Sequence, residues 1–169
     1  MLGMRLAVAV PPRQDERSQE ESAGRRMFVG NFDRSVDGAG RVALPAEFRD
    51  ELGPKCYLTR HPDGFVKLTT QGQFAAEAET IRADIRAGLR PESAMRAFGA
   101  QTQIASIDKQ GRITLDEGVR SHAGLKSQAI IVGSVEYLEI WRPSRYEQVR
   151  AEHHDAHPPR RWDDEDDDV

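Results

Sequence analysis

Apolar positions along this chain switch between two spacings, and each switch marks an element. Around residues 32–44 and again around 104–115, apolar and polar residues alternate on either side of a short Asp/Gly-containing break, as half-buried strands do at a tight turn. Phe32, Arg34 and Val36 lead into the first break and Arg41-Val42-Ala43-Leu44 lead out. Ile104 and Ser106 lead into the second, and Arg112-Ile113-Thr114-Leu115 lead out. The spacing then becomes helical. Pro45 suits a first helical position, Phe48 and Leu52 share one face, and Gly53 stops the run. In the second region Asp116 is the N-cap, Val119 and Ala123 share a face, and Gly124 closes the helix. A pair of strands follows each helix: 56–60 with 65–69 across His-Pro-Asp-Gly, and 129–132 with 137–141 across Gly133-Ser134. Between the two regions Phe74, Ala78, Ile81 and Ile85 mark one long helix. Pro91 interrupts, a short helix is expected over 92–98, and a last one over 143–152.

The two regions are copies of one unit. Val36-Asp-Gly-Ala-Gly-Arg-Val-Ala-Leu44 recurs as Ile107-Asp-Lys-Gln-Gly-Arg-Ile-Thr-Leu115, and a constant offset of 71 positions aligns Asp37 with Asp108, Gly40 with Gly111 and Arg41 with Arg112. The same offset pairs Leu44 with Leu115, Arg49 with Arg120 and Gly53 with Gly124, six agreements without a gap. Gly40 and Gly111 supply the positive φ that a tight turn needs, and Asp37 and Asp108 are placed to bond backbone amides two residues on. A unit of about 45 residues buries little apolar surface alone. Two interleaved copies closing one core solve that problem, so the expected fold class is α+β and β-rich.

Composition narrows the function. The chain is 169 residues long, with 38% hydrophobic and 31% charged residues and a mean hydropathy of -0.65. The early apolar run 6–10 is too short to span a membrane or to serve as a signal-peptide core, so no membrane partner is expected and the cytoplasm is the expected compartment. The single cysteine, Cys56, has no internal disulfide partner, in keeping with a reducing compartment. The net charge of -4 is unevenly spread: 153–169 carries seven acids against two arginines, 1–26 is +1, and the centre is neutral. Any footprint on a polyanion must therefore come from where individual cations sit.

Several motifs in fixed order carry a resemblance. Met27-Phe-Val-Gly, Asp37-x3-Arg41 followed by Leu-Pro-Ala-x-Phe-Arg, Asp108-x3-Arg112, and Ser134-Val-Glu-Tyr-Leu-Glu-Ile-Trp141 together resemble the MraZ family of transcriptional regulators over about 27–152. The resemblance implies two tandem AbrB-like swapped-hairpin units forming a pseudo-two-fold β-barrel with short flanking helices. It implies a first unit over 27–72, a helical connector over 73–100, a second unit over 101–142 and a C-terminal helix over 143–152. Residues 1–26 fall outside the family pattern, which starts at the position of Met27; they and the acidic run 153–169 are expected to be disordered. The resemblance further implies a ring-shaped homo-oligomer in the nucleoid that binds short G-rich direct repeats in double-stranded DNA and regulates the division and cell-wall gene cluster.

The turn residues have a direct physical reading. An aspartate that caps turn amides or pairs with a guanidinium four residues on holds that arginine in one orientation, projecting past the sheet edge. A guanidinium so presented matches O6 and N7 of guanine. Asp37, Arg41, Asp108 and Arg112 are therefore the candidate DNA-binding residues, with Gly40 and Gly111 as turn glycines and Lys109 as a phosphate contact. Arg49 and Arg120 read as solvated helix arginines, and Tyr137, Leu138 and Trp141 as a buried strand. Cys56 reads as a buried thiol, and His153, His154 and His157 as solvated histidines rather than metal ligands. With no phosphate-cradling loop, paired catalytic carboxylates or nucleophile elbow in the sequence, no enzyme activity, cofactor, metal or small-molecule substrate is expected. The competing readings are an oligomeric protein-interaction scaffold without DNA contact and an RNA-binding module.

Overall fold

The computed structural model describes residues 27–156. The disorder expected of 1–26 and of the tail from 157 onward lies outside the described residues. The first copy forms β1 (Asn31–Ser35), β2 (Arg41–Ala43), α1 (Ala46–Leu52), β3 (Lys55–Arg60) and β4 (Val66–Thr69). Helices α2 (Gln71–Arg86) and α3 (Ser93–Ala100) connect it to the second copy. That copy forms β5 (Thr102–Ser106), β6 (Arg112–Thr114), α4 (Glu117–Ala123), β7 (Gln128–Gly133) and β8 (Leu138–Trp141), followed by α5 (Pro143–Ala156). The last helix thus runs past the expected boundary at 152, into the segment read from sequence as tail. The pairs β1/β5, β2/β6 and α1/α4 begin and end 71 positions apart, so the sequence repeat is also a structural one.

Strand pairing shows how the copies interleave. The larger sheet has six antiparallel strands in the order β1-β7-β8-β4-β3-β5, a sequence that maps onto itself when the copies are exchanged. Register obeys the same exchange: Ser35 faces Gln128 in one outer ladder, and its counterpart Ser106 faces Lys55 in the other. The smaller sheet is a ribbon of β2 and β6, with Val42 opposite Ile113. The D-x-x-G-R turns, hairpin-like when read from the sequence alone, are therefore not continued by pairing between their own arms. Beyond the turn and a single bridge from Val36 to Val42, the arms of the first turn separate, because β1 pairs with β7 and β2 with β6 of the other copy. The expected barrel takes the form of an open sheet plus a ribbon, which no continuous ladder closes among the described residues.

Burial explains the interleaving. Val42, Leu44, Leu58 and Leu68 of the first copy share one core with Ile113, Leu115, Ile131 and Ile140 of the second, all at 1% exposure or less. Burying a side chain of this size stabilises by about 1.5–3 kcal/mol relative to leaving it exposed. Neither copy could close this core without the other. Phe48 and Leu52 point into it from α1 and Val119 and Ala123 from α4. Gly53 at φ 72 ends α1 and Gly124 at φ 62 ends α4, while the Asp116 carboxylate accepts from Val119 N at 2.7 Å. Pro45 sits one position ahead of its expected place, at the N-cap of α1. Helix α2 starts with a capping box, Thr70 Oγ1 accepting from Gln73 N and Gln73 Oε1 accepting from Thr70 N. Its Phe74 stacks between Tyr57 and Phe98.

Candidate nucleic-acid interface

Each turn is held by its aspartate, and the two networks match atom for atom. In the first, Gly40 N donates to Asp37 O at 2.9 Å and Asp37 N to Arg41 O at 3.0 Å. Asp37 Oδ1 accepts from Ala39 N at 3.0 Å and Arg41 N at 2.9 Å, and Oδ2 accepts from Arg41 Nε at 2.7 Å. In the second, Gly111 N donates to Asp108 O and Asp108 N to Arg112 O, both at 2.9 Å. Asp108 Oδ1 accepts from Gln110 N and Arg112 N, and Oδ2 from Arg112 Nε, all at 2.9 Å. The two roles weighed for the aspartate, amide cap and guanidinium partner, are filled at once by its two oxygens. Gly40 at φ 77 and Gly111 at φ 76 supply the left-handed residue that each turn requires.

The arginines stand at the first positions of β2 and β6 rather than past a sheet edge. In the ribbon Arg41 lies opposite Thr114 and Arg112 opposite Ala43, so strand alternation puts both arginines on one face and buries Val42 and Ile113 on the other. Arg41 and Arg112 are diagonal neighbours, a relation that spaces residues by roughly 7–8 Å. Their side chains remain 41% and 29% exposed. The carboxylates engage Nε, and no terminal amino group of either guanidinium has a partner among the described residues. Backbone and side-chain hydrogen bonds from Arg41 hold the Asp37 carboxyl below its ordinary 3.8, and bonds led by the Arg112 backbone do the same for Asp108. Both carboxylates are therefore ionised at neutral pH.

Around this shared frame the copies differ. Lys109 and Gln110 are exposed in the second turn, where the first has Gly38 and Ala39. Arg34, overlooked in the sequence, donates from Nε to Ala43 O at 3.1 Å, while the aligned residue of the second copy is the buried Ala105. The expectation of solvated helix arginines at 49 and 120 is overturned. Both are half-buried, and each packs on the turn glycine of the opposite copy. The Arg49 guanidinium covers Gly111 and donates from Nε and Nη2 to Leu44 O at 3.0 and 2.8 Å. Arg120 covers Gly40 with a buried Nε that has no hydrogen-bond partner among the described residues. The two helices stand against the turns because Leu44 N donates to Gly111 O and Leu115 N to Gly40 O, tying each outgoing strand to the other copy's turn.

The remaining candidates resolve as packing. Leu138 and Trp141 are buried, and Tyr137 is half-buried beneath Lys67, whose Nζ lies 4.6 Å from its ring centre. Burial pushes the Cys56 thiol up to about 11, and its Sγ lies 3.6 Å from Ala105 O, the environment of an inert thiol. His153 lies on α5, whereas the side chain of His154 and all of His157 are outside the described residues. No cluster of three His, Cys, Asp or Glu suited to a metal is found among the described residues, and no helix there is long and apolar enough to cross a membrane.

Fold and site together define a class: an internally duplicated α+β protein whose halves close one core and share one ribbon bearing two carboxylate-fixed arginines. Comparison with known proteins identifies the family. Residues 98–165 match the family model "MraZ protein". The "Transcriptional regulator MraZ" of Corynebacterium kroppenstedtii is 33% identical over 131 residues, covering 78% of this chain and 92% of the relative. That of Nocardia farcinica is 34% identical over 135 residues, covering 80% and 94%, and that of Corynebacterium efficiens is 38% identical over 115 residues, covering 68% and 80%. The chain belongs to the MraZ family.

Proposed function

We propose that this chain is a DNA-binding transcriptional regulator of the cytoplasm and nucleoid, not an enzyme, and that Arg41 and Arg112 read guanines in the major groove. The observation that carries the reading is the repeated turn: a carboxylate fixes Nε of each arginine and leaves the two terminal amino groups facing out from the same ribbon. Two parallel donors of this kind fit O6 and N7 of guanine and discriminate by about 1–3 kcal/mol per base. Successive bases along one strand are about 3.4 Å apart, so arginines at the diagonal spacing of a ribbon suit positions about two steps apart. Asp37 and Asp108 orient the arginines, Gly40 and Gly111 permit the turns, and Lys109 contacts phosphate.

Two arginines give weak binding. Assembly of the chain into a ring-shaped homo-oligomer on short G-rich direct repeats would link such grips and raise avidity by about 10² to 10⁴. This also accounts for recognition of a polyanion by a chain with a neutral centre. The interleaved copies correspond to tandem AbrB-like swapped-hairpin units related by a pseudo-two-fold exchange, and the target is the promoter of the division and cell-wall gene cluster. The names of the relatives support the regulatory part of this reading. The test is a promoter gel shift with the double variant Arg41→Ala/Arg112→Ala. Binding is expected to disappear while the oligomer measured by light scattering persists, and unchanged binding would reject the reading.

A further inference from the structure

We infer that Arg49 and Arg120 are positioning residues for recognition, each holding in place the arginine turn of the opposite copy; as a role in DNA recognition this rests on the function proposed above. Three contacts support it. The Arg49 guanidinium lies where a Cβ of Gly111 would stand, so the second turn is backed by a residue of the first copy's α1. In the reciprocal contact a Cβ at Gly40 would lie 2.9 Å from Arg120 Nε of α4. The glycines are thus needed twice over, for φ and for room. Leu44 N to Gly111 O and Leu115 N to Gly40 O lock the same two junctions through the backbone.

The clamps are unequally fastened. Arg49 is tied by two hydrogen bonds to the carbonyl of Leu44, the residue whose N–H forms the junction it covers, whereas the buried Nε of Arg120 has no acceptor among the described residues. A guanidinium packed against a glycine limits how far the turn can tilt, and the direction of Arg112 or Arg41 follows the turn. Neither Arg49 nor Arg120 needs to touch DNA for this. Removing one should disturb the far copy's turn first, and Arg49 should matter more.

Amide hydrogen exchange of the full chain separates this role from general stabilisation. Arg49→Met, which keeps an apolar stem, is expected to speed exchange of the Gly111 and Arg112 amides about tenfold while Gly40 and Arg41 change little. Arg120→Met should do the reverse with a smaller amplitude. Promoter affinity should fall about tenfold in Arg49→Met with an unchanged salt slope, whereas loss of a phosphate contact would lower that slope by about one. Arg49→Lys, the milder variant if Arg49→Met does not fold, is expected to recover part of both readouts. Equal acceleration at both turns, acceleration at the same copy's turn, a reduced salt slope, or crossed acceleration with unchanged affinity would each overturn the inference. Arg41→Ala/Arg112→Ala measured alongside isolates the other failure: if that variant binds normally, DNA reading at the turns is wrong whatever the exchange pattern.

Discussion

In the first turn Asp37 is followed by Gly38 and Ala39, and in the second Asp108 is followed by Lys109 and Gln110, yet both carboxylates accept the same three bonds and both glycines sit within a degree of one φ. The frame depends on Asp, Gly and Arg, whose side-chain or backbone chemistry is used in the bonding. The two intervening positions contribute only their backbone and are free to differ. Shape is therefore shared between the turns, while the added positive charge of Lys109 belongs to the second alone.

The turn glycines give the sharpest test of that comparison. An alanine at either position must adopt a left-handed φ, which costs roughly 1–2 kcal/mol before any clash. At Gly40 the added Cβ also meets the Leu115 carbonyl oxygen at 2.7 Å, and at Gly111 it meets the Arg49 guanidinium at 2.1 Å, a group held by two hydrogen bonds to Leu44 O. Urea unfolding should show both variants destabilised by more than this backbone term alone. A loss no larger than the backbone term at either position would mean that the covering arginine gives way freely there. Next in size, Arg41→Ala and Arg112→Ala tested singly should each lose about 1–3 kcal/mol of discrimination at one guanine, and at different guanines. Loss at the same base would contradict two separate readers. Lys109→Ala should have a smaller effect, lowering the salt slope by about one without changing sequence preference, and Gly38→Lys should raise it by a similar amount.

The smallest expected difference concerns pH. Asp37 and Asp108 have folded pKa values below the ordinary 3.8, so their contribution to the turns is complete above that value and disappears as pH falls through the lowered ones. Amide shifts of Arg41 and Arg112 followed from pH 7 downward should stay constant until the solution is more acidic than ordinary aspartate titration requires. A transition at or above the ordinary value would show that the carboxylates are not bonded as described.

Much of this arrangement was legible in the residues, and what was not has identifiable causes. The 71-residue offset, the capping role of Asp116, the stops at Gly53 and Gly124 and the burial of Leu138 and Trp141 follow from local chemistry, which sequence displays directly. The partner of a strand does not. Alternation around Val42 identifies a strand but not whether it pairs with β1 or with a distant copy of itself, and a three-residue ribbon is too short to carry a register signal. Arg49 and Arg120 were missed for a related reason. Their contacts lie across the copy boundary, and an arginine on a short helix reads as solvated until the surface opposite is known. Their membership in the same 71-residue series as the turn glycines was the available clue. The Thr70-x-x-Gln73 capping box was likewise present in the sequence as a helix-start signature.

Placing both halves on one polypeptide has a genetic consequence. In a symmetric assembly of two identical short chains, every codon change appears at both turns, so an added lysine or a lost side chain alters both turns together. Here a change such as glycine against lysine at positions 38 and 109, or arginine against alanine at 34 and 105, touches one side alone. A single chain is therefore free to differ between its two turns while keeping the mutual enclosure of the shared core.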